Sequence, residues 1–285
     1  MPDLVLGTAQ LGMNYGINNE DGKPSKTESF KILDYAYNKN IKVVDTALAY
    51  GDSEKVIGDY KNSFKICSKM PSLSNMNNRD IEKTFNKSLN NLKVETIDYY
   101  LIHDFQDALK QDVIHFLKKY KKEGIINNTG VSVYEPEEAD KIINTGLYDS
   151  IQIPLNILDT RFLQKGLLSN KNITIFIRSI FLQGLLFLDY DKTPENLSEA
   201  SSYLKKINDF CDDHNVNLVN LIFSWYQHNG YGDYILIGVD NLKQLKENIK
   251  YYNIEVPSNI LKKFNDLIKS FQIPDNSVFI DPRKW

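Results

Sequence analysis

The sequence predicts an α/β protein: a single closed (β/α)8 barrel, or TIM barrel, over residues 1–285, with an extra C-terminal helix and tail. Eight short apolar or β-branched runs alternate with amphipathic segments, the pattern of parallel βαβ units. Runs such as Tyr100–Ile102 are continuously apolar, as expected for strands covered on both faces. An open doubly wound sheet is disfavoured because Gly7, Gly12 and Gly16 do not form a G-x-G-x-x-G motif after the first run.

The strands are predicted from these runs and the helices from apolar residues that recur with a 3.6-residue period. The predicted strands are Leu4–Thr8, Lys42–Asp45, Phe64–Ser68, Ile97–Ile102, Ile125–Val131, Ser150–Ile153, Ile173–Ile177 and Tyr234–Ile237. Helix starts are predicted at Thr27, ahead of an apolar stripe through Phe30 and Tyr37, and at Ser53. The other predicted helices are Asn78–Leu92, Asp107–Glu123, Glu135–Thr145, Arg161–Ser169, Ser198–His214, Leu242–Tyr251 and, beyond the eight repeats, Ser258–Lys269.

Composition excludes several classes of protein. A net charge of −3 and a pI near 5.9 argue against a nucleic-acid partner, which requires clustered positive charge. Cys67 and Cys211 are too few for a disulfide framework or a cysteine-rich metal site, and we expect no metal. No signal peptide is recognisable, and the longest apolar stretch is interrupted by Arg178 and Gly184, so we expect a cytoplasmic protein without a membrane span. No pattern indicates an oligomeric state.

Three consecutive predicted strands end in chemically active side chains. The second strand ends at Asp45, and Tyr50 lies in the loop that follows. The third strand leads into Lys69 and the fourth into His103. Each residue alone has a structural interpretation, as a helix cap, a surface lysine, a loop tyrosine or a core histidine. Together they meet at the carboxyl rim of the barrel, where barrel enzymes place their chemistry.

This set of groups suits the delivery of a proton to a carbonyl oxygen. A free phenol has a pKa near 10 and is a weak acid at neutral pH. The Lys69 ammonium is expected to lower the pKa of Tyr50, while Asp45 fixes and neutralises the lysine. His103 can donate a hydrogen bond that orients the carbonyl.

The run Asp45–Gly51 (DTALAYG), followed by Lys69 and His103, resembles the aldo-keto reductase superfamily. The resemblance extends over nearly the whole chain and implies an NAD(P)H-dependent oxidoreductase that reduces an aldehyde or ketone to an alcohol. Asp45, Tyr50, Lys69 and His103 would form its catalytic tetrad, with Tyr50 as the proton donor. Further matching segments follow in the same order: Leu6–Gly12, Gly130–Ser132, Ile151–Asn156, Gln183–Leu186 and Leu245–Asn248.

The resemblance also implies cofactor-binding residues. Ser132 and Gln152 match residues that hold the nicotinamide carboxamide, whereas Val133 stands where the family has asparagine. Arg178, followed by Ser179, replaces an aromatic ring that stacks on the nicotinamide, and a planar guanidinium can stack or bind phosphate. At the adenosine end, the residues implied to bind the cofactor are Gly238, Asp240, Gln244, Glu247 and Asn248.

The resemblance implies NADPH as the cofactor. NADH is implied nearly as strongly, because the residues at the 2′-phosphate subsite differ from those of the family. Many relatives place a lysine and an arginine there, but this chain offers Gly238 and Gln244, with Asp240 nearby. A carboxylate repels a phosphate dianion, yet it can accept a hydrogen bond from a free ribose hydroxyl. Lys243 and Lys246 are close enough in sequence to compensate.

The substrate is expected to be a small carbonyl compound. Candidate substrate-contacting residues are Tyr15, in the loop after the first strand, and Arg283 and Trp285 in the tail. Similar loops and tails occur in relatives among bacterial sugar-modifying enzymes, which implies a polar, sugar-like substrate. Two other classes stay open: a nucleotide-binding regulatory barrel without turnover, and a cofactor-free lyase or isomerase that uses Lys69 as a Schiff base.

Overall fold

A computed structural model describes residues 1–73, 78–163, 166–169 and 172–285. Eight parallel strands close into a barrel in chain order, with the last strand bonded to the first. The predicted (β/α)8 fold is confirmed, and every predicted strand lies within two residues of an observed one. The strands are β1 Asp3–Gly7, β2 Val43–Asp45, β3 Lys65–Met70, β4 Ile97–Ile102, β5 Ile126–Ser132, β6 Ser150–Pro154, β7 Thr174–Arg178 and β8 Tyr234–Gly238.

Helices surround the barrel and connect successive strands. The α-helices are α1 Ala9–Gly12, α2 Lys26–Asn38, α3 Ser53–Gly58, α4 Asn78–Leu92, α5 Phe105–Ala108, α6 Gln111–Lys122, α7 Pro136–Thr145, α8 Ser201–His214, α9 Leu218–Asn229, α10 Leu242–Tyr252 and α11 Ser258–Ser270. Short 3-10 helices cover Arg161–Leu163, Leu167–Ser169, Leu182–Phe187, Tyr190–Lys192, Glu195–Ala200, Val278–Ile280 and Pro282–Lys284.

Helix α9 is absent from the sequence-based prediction for a physical reason. Residues 220–226 are all buried, so this stretch lacks the exposed polar face by which an amphipathic helix is recognised. Both ends of the helix, however, carry residues that commonly cap helices. The Asn217 side chain accepts hydrogen bonds from the N–H groups of Val219 and Asn220, and Gly230 ends the helix in a left-handed conformation.

Several predicted helix boundaries were wrong. The single helix expected over Asp107–Glu123 is broken at Lys110, whose backbone is extended. Asp107 lies in the short helix before the break, where it is buried and accepts from the N–H of Leu73. The helix expected over Arg161–Ser169 is replaced by two 3-10 turns, while residues 164–165 lie outside the described residues. Helix α2 is capped by Ser25 rather than Thr27, and α8 begins after a 3-10 turn.

The barrel has an apolar interior that positions the polar groups at its mouth. Val5, Val43, Phe176 and Leu236 pack inside it, and Tyr99 packs against them. Side chains alternate along a strand, so residues two and four positions beyond these point the same way. Asp45 follows Val43 at this spacing, as His103 follows Tyr99, and both therefore face the mouth of the barrel.

Candidate active site

A buried ion pair lies at the ends of β2 and β3. The Nζ of Lys69 is 2.6 Å from Oδ1 of Asp45 and also donates to the backbone oxygen of Thr46 at 3.0 Å. The side chain of Lys69 is 0% exposed and that of Asp45 is 4% exposed. Buried charges are costly unless they are paired and hydrogen-bonded, and both conditions hold here. The chain therefore maintains a charged amine deep in the barrel mouth.

Tyr50 and His103 complete the predicted group of four. The Nζ of Lys69 lies 5.1 Å from the centroid of the Tyr50 ring. The rings of Tyr50 and His103 meet edge to face, with centroids 6.0 Å apart. The structure thus brings together all four residues predicted from three strand ends. Asp45, Tyr50 and His103 line a cleft of about 410 Å³, and Lys69 lies buried behind them.

The pKa of Tyr50 differs from the sequence-based expectation. Burial raises it above the ordinary value of a phenol, and Asp45 adds to the rise, whereas Lys69 and Arg178 act in the opposite direction. The prediction that Lys69 brings this pKa down is right in direction but wrong as a net effect, because desolvation is larger. Tyr50 consequently keeps its proton throughout the neutral pH range.

His103 and Lys69 have well-defined protonation states at neutral pH. Burial, together with the charges of Lys69 and Arg178, lowers the pKa of His103 to about 4, so its ring is neutral. Burial alone would lower the pKa of Lys69, but Asp45 and Tyr50 raise it above its ordinary value. A neutral imidazole beside a permanent ammonium can offer one N–H to a substrate oxygen.

The loop that carries Tyr50 is held by close backbone contacts. A Cβ on Gly12 would lie 1.8 Å from the carbonyl oxygen of Tyr50, so only glycine fits there. Gly51 has a φ of 56°, and its own Cβ would come within 2.4 Å of the Gly12 oxygen. The Ser53 hydroxyl donates to the Thr8 carbonyl oxygen at 2.8 Å. These contacts fix the Tyr50 backbone against α1 and β1.

Gln152 connects this group to the next part of the cleft. Its Nε2 donates to Oδ2 of Asp45 at 2.8 Å, so Asp45 bridges Lys69 and Gln152. A carboxylate only accepts hydrogen bonds, which leaves Oε1 of Gln152 as the atom available to a ligand. Ser132 is paired with Gln152 in the sheet register, and both line the cleft. Within the described part of the chain, no side-chain hydrogen bond is found to Oε1 or to the Ser132 hydroxyl.

A ligand carboxamide fits these two groups. The N–H of such a group can donate to Oε1 of Gln152, and its oxygen can accept from the hydroxyl of Ser132. Val133, which stands in place of the family asparagine, is fully buried and directs no polar side chain into the cleft. The residues present thus suit a nicotinamide carboxamide with fewer contacts than the family resemblance implies.

Arg178 lies at the end of β7 beside these residues. Its Nη2 donates to the backbone oxygen of Val133 at 3.0 Å, and its Nη1 donates to the Ser179 hydroxyl at 3.3 Å. Its guanidinium carbon is 4.0 Å from the centroid of the Tyr134 ring. Arg178, Ser179 and Tyr134 all line the cleft. Tyr134 follows β5 and was missed by the sequence-based analysis, because no motif marks it.

All five residues that the resemblance assigned to the adenosine half line the cleft, where β8 ends and along α10, and we call this part of the cleft its adenosine end. Asp240 and Gln244 form a closed pair: Oε1 of Gln244 accepts from the Asp240 N–H at 2.8 Å, and its Nε2 donates to Asp240 at 3.0 Å. Burial and the nearby Asp21 carboxylate raise the pKa of Asp240. The other three residues that line this end are Gly238, Glu247 and Asn248.

The three candidate substrate residues have different positions. Tyr15 lines the cleft near Tyr50, and burial raises its pKa to about 12. Neither Arg283 nor Trp285 is among the described residues that line the cleft. Arg283 instead stacks on Tyr134, with 3.7 Å between its guanidinium carbon and the ring centroid. The tail therefore contacts a residue of the cleft wall rather than the cavity itself.

Two loops cross above the cleft. The N–H of Ile17, in the loop after β1, donates to the backbone oxygen of Gln183 at 3.1 Å. Gly184 packs so closely on Asn18 that a Cβ there would lie 2.9 Å from the Cβ of Asn18. Gln183 and Gly184 both have positive φ angles. Asn18, Gln183 and Gly184 also line the cleft, so the two loops form part of its wall where they meet.

Two further properties concern the described residues. Among them, no helix is both long and apolar enough to span a lipid bilayer. No group of three or more His, Cys, Asp or Glu side chains in this part of the chain is arranged to hold a metal ion.

Comparison with known proteins identifies the family. The model of the aldo/keto reductase family matches residues 3–269. The chain is 25% identical over 220 residues to the uncharacterized oxidoreductase YqkF of Bacillus subtilis (strain 168), covering 70% of each protein. It is 22% identical over 304 aligned positions to the aldo-keto reductase str7 of Strobilurus tenacellus, covering 94% of this chain and 88% of that protein.

Solved structures share the fold. An aldo-keto reductase of Bacillus halodurans in its holo form superimposes with a TM-score of 0.76 at 18% identity, covering 96% of this chain and 94% of that one. A glycerol dehydrogenase of Gluconobacter oxydans gives a TM-score of 0.73 at 21% identity, covering 96% and 93%. These likenesses agree with the family match over nearly the whole sequence. The chain belongs to the aldo/keto reductase family and is an NAD(P)H-dependent oxidoreductase.

Proposed function

We propose that the protein reduces the carbonyl group of an aldehyde or ketone to an alcohol, with Tyr50 as the proton donor. The observation that carries this proposal is the chain of contacts from Lys69 through Asp45 to Gln152, beside the Tyr50 ring at the floor of the cleft. A bound nicotinamide cofactor would supply the hydride. The protein's own residues then have to hold the carbonyl oxygen and protonate it.

In the proposed reaction, the neutral His103 ring donates a hydrogen bond to the carbonyl oxygen and orients it. Tyr50 keeps its proton until negative charge develops on that oxygen, and the phenol then transfers it. The Lys69 ammonium stabilises the phenolate that forms, which is where electrostatic catalysis is most effective. Asp45 holds the amine in place and balances its charge. Gln152 and Ser132 would hold the cofactor carboxamide next to this group.

The substrate end of the cleft favours a polar carbonyl compound. It is lined by the phenols of Tyr15, Tyr50 and Tyr134, by the His103 imidazole and by the Arg178 guanidinium. Hydroxyl and guanidinium groups that line a cleft form the most hydrogen bonds with a ligand that carries several oxygen atoms. A sugar-like aldehyde or ketone has this chemistry, in agreement with the relatives suggested by the sequence.

A Schiff-base lyase is less compatible with the site. Imine formation requires a neutral amine with access to the substrate, but the pKa of Lys69 is raised and its side chain is fully buried. The Nζ is already bound to Asp45 and to the Thr46 oxygen. A regulatory barrel that binds nucleotide without turnover has no such obstacle, and turnover has to be measured to exclude it.

The test is a titration of the protein with NADH and with NADPH, monitored by its fluorescence, followed by assays with polar and apolar aldehydes. We expect saturable binding of at least one dinucleotide. We also expect the absorbance of that reduced dinucleotide to decrease when an aldehyde is added, as the dinucleotide is oxidised. Binding without turnover of any carbonyl compound would favour the regulatory alternative. Absence of binding for both dinucleotides would contradict the proposal.

We propose that the adenosine end favours NADH, although the family resemblance places NADPH first. The described residues that line this end include two carboxylates, Asp240 and Glu247, and no cation. Lys243 is exposed, and the Lys246 ammonium lies over the Tyr35 ring, 5.5 Å from its centroid. A 2′-phosphate dianion would therefore meet negative charge without a compensating partner.

Asp240→Asn should raise the affinity for NADPH relative to NADH by about 10-fold. The substitution removes the repulsion between the carboxylate and the 2′-phosphate, and a partly screened interaction between two charges contributes about 1–2 kcal/mol. Asparagine keeps an oxygen that can accept from Gln244, so the loop should remain intact. Dissociation constants for both dinucleotides are the measurement. Asp209→Asn, an exposed site on α8, is the charge-matched control and should leave the ratio unchanged. An unchanged ratio in Asp240→Asn would contradict the assignment.

A further inference from the structure

Arg178 is a cation in the cleft without a carboxylate partner. Its described contacts are the Val133 carbonyl oxygen, the Ser179 hydroxyl and the Tyr134 ring. No Asp or Glu of the described residues lies within ion-pair distance of it. The two other arginines with described side chains, Arg161 and Arg283, each bind two carboxylates. The positive charge of Arg178 is therefore left for whatever occupies the cleft.

The position of Arg178 is fixed relative to the carboxamide-binding groups. It is paired with Pro154, two residues beyond Gln152, in the register of β6 and β7. Its guanidinium reaches across the end of β6 to the carbonyl oxygen of Val133. Val133 directly follows Ser132, the last residue of β5. A ring whose carboxamide is held by Ser132 and Gln152 therefore lies beside this guanidinium. This step rests on the proposed function.

The stack on Tyr134 keeps the guanidinium in that place. The guanidinium carbons of Arg178 and Arg283 lie 4.0 Å and 3.7 Å from the centroid of the same ring. Two groups so close to one ring can only stack on its opposite faces. Arg283 is anchored by two hydrogen bonds of 2.8 Å to Asp281. Arg178 therefore packs on a fixed aromatic surface and has little freedom to turn away from a ligand.

The charges around the ring position do not cancel. Asp45 neutralises Lys69 within a buried ion pair. His103 is uncharged at neutral pH because its pKa is lowered to about 4. Arg178 therefore leaves this part of the cleft with a net charge of +1. The reduced nicotinamide ring is neutral, whereas the oxidised ring is a pyridinium cation, so the two forms interact differently with this charge.

We propose that Arg178 makes the cleft discriminate between the two redox states of the cofactor, so that the reduced dinucleotide binds more tightly than the oxidised one. The phosphates are the same in both forms, so their attraction to Arg178 cancels in the ratio of dissociation constants. The oxidised product dissociates readily and competes weakly with the reduced form. By linkage, each tenfold difference in binding raises the reduction potential of the bound cofactor by about 30 mV.

The experiment measures dissociation constants of NADH and NAD⁺ for wild type, for three variants of Arg178 and for one control variant by fluorescence titration and calorimetry. We expect wild type to bind NADH about 10-fold to 100-fold more tightly, the range expected for a unit charge near the ring at partial screening. Arg178→Gln and Arg178→Tyr remove the charge and should reduce this ratio by about 10-fold or more. Arg178→Lys keeps the charge and should retain the ratio within about threefold.

Lys205→Gln, an exposed site on α8, removes one positive charge elsewhere and should leave the ratio unchanged. The two neutral variants differ in size, so a folding defect in one does not remove the test. A ratio that stays unchanged in both neutral variants, or that falls equally in Arg178→Lys, would overturn the inference. If the proposed function itself is wrong, the result is different: the wild-type protein binds neither NADH nor NAD⁺.

Discussion

Replacing Lys69 with methionine should lower kcat by about 10²-fold to 10⁴-fold, the range typical of losing acid–base catalysis. Without the ammonium, the phenolate of Tyr50 loses the larger of its two stabilising positive charges, and the pKa of Tyr50, already raised by burial, should rise further. Cofactor affinity should change little, because the adenosine contacts are at the other end of the cleft. Steady-state kinetics with a fixed aldehyde and a cofactor titration measure both quantities. A kcat within about threefold of wild type, well below 1.4 kcal/mol in the barrier, would contradict the role of Lys69.

The same substitution leaves Asp45 as a buried carboxylate that keeps its hydrogen bond from Gln152 but has lost its charged partner. Breaking a buried pair by removing one partner typically costs about 3–5 kcal/mol of stability, so loss of activity alone would be ambiguous. Asp45→Asn, which keeps the ammonium, should reduce kcat more mildly. The double variant Asp45→Asn/Lys69→Met removes the unpaired charge, so it should regain stability in thermal unfolding yet remain inactive. The kinetic effects should be strongly non-additive, since the two residues act as one unit.

Tyr50→Phe should abolish turnover while leaving cofactor binding intact. Phenylalanine fills the same space beside His103 but has no proton to donate, so kcat should fall by at least about 10²-fold. His103→Asn is the comparison, because it keeps the proton donor and loses only the orienting ring; it should raise KM more than it lowers kcat. Substantial aldehyde reduction by Tyr50→Phe would assign proton donation to another group, for which Tyr15, a second phenol that lines the cleft, is a candidate.

The pH dependence of wild-type reduction follows from the same groups. Tyr50 must be protonated to act as an acid, and its pKa is raised above the ordinary value of a phenol. The enzyme should therefore lose activity only on the alkaline side, at higher pH than a free phenol would titrate. His103 acquires a proton only below its pKa of about 4. The kcat for reduction should therefore be nearly flat from about pH 5 to pH 9. A titration of kcat near pH 6–7 would contradict the neutral state assigned to His103.

The strand positions follow from local patterns that the sequence carries directly. Continuous apolar runs such as Tyr100–Ile102 are typical of strands buried on both faces, and the strand that contains this run, Ile97–Ile102, was predicted with its observed bounds. Helix α9 was missed because its central residues 220–226 are all buried, so this stretch lacks the exposed polar face of an amphipathic helix. The break at Lys110 was also missed, and Asp107, in the short helix before it, bonds to Leu73, which lies far away in the sequence.

The sequence by itself determined the barrel and the ends of its strands, and hence that Asp45, Tyr50, Lys69 and His103 meet at one rim. Chain order, side-chain alternation and strand direction are sufficient for that result. Only the tertiary structure decided that Gln152 binds Asp45 across 107 residues and that Tyr134 supports Arg178. It also decided that burial raises the pKa of Tyr50 more than Lys69 lowers it. Desolvation and long-range contacts depend on the whole packed chain, so no local pattern of residues encodes them.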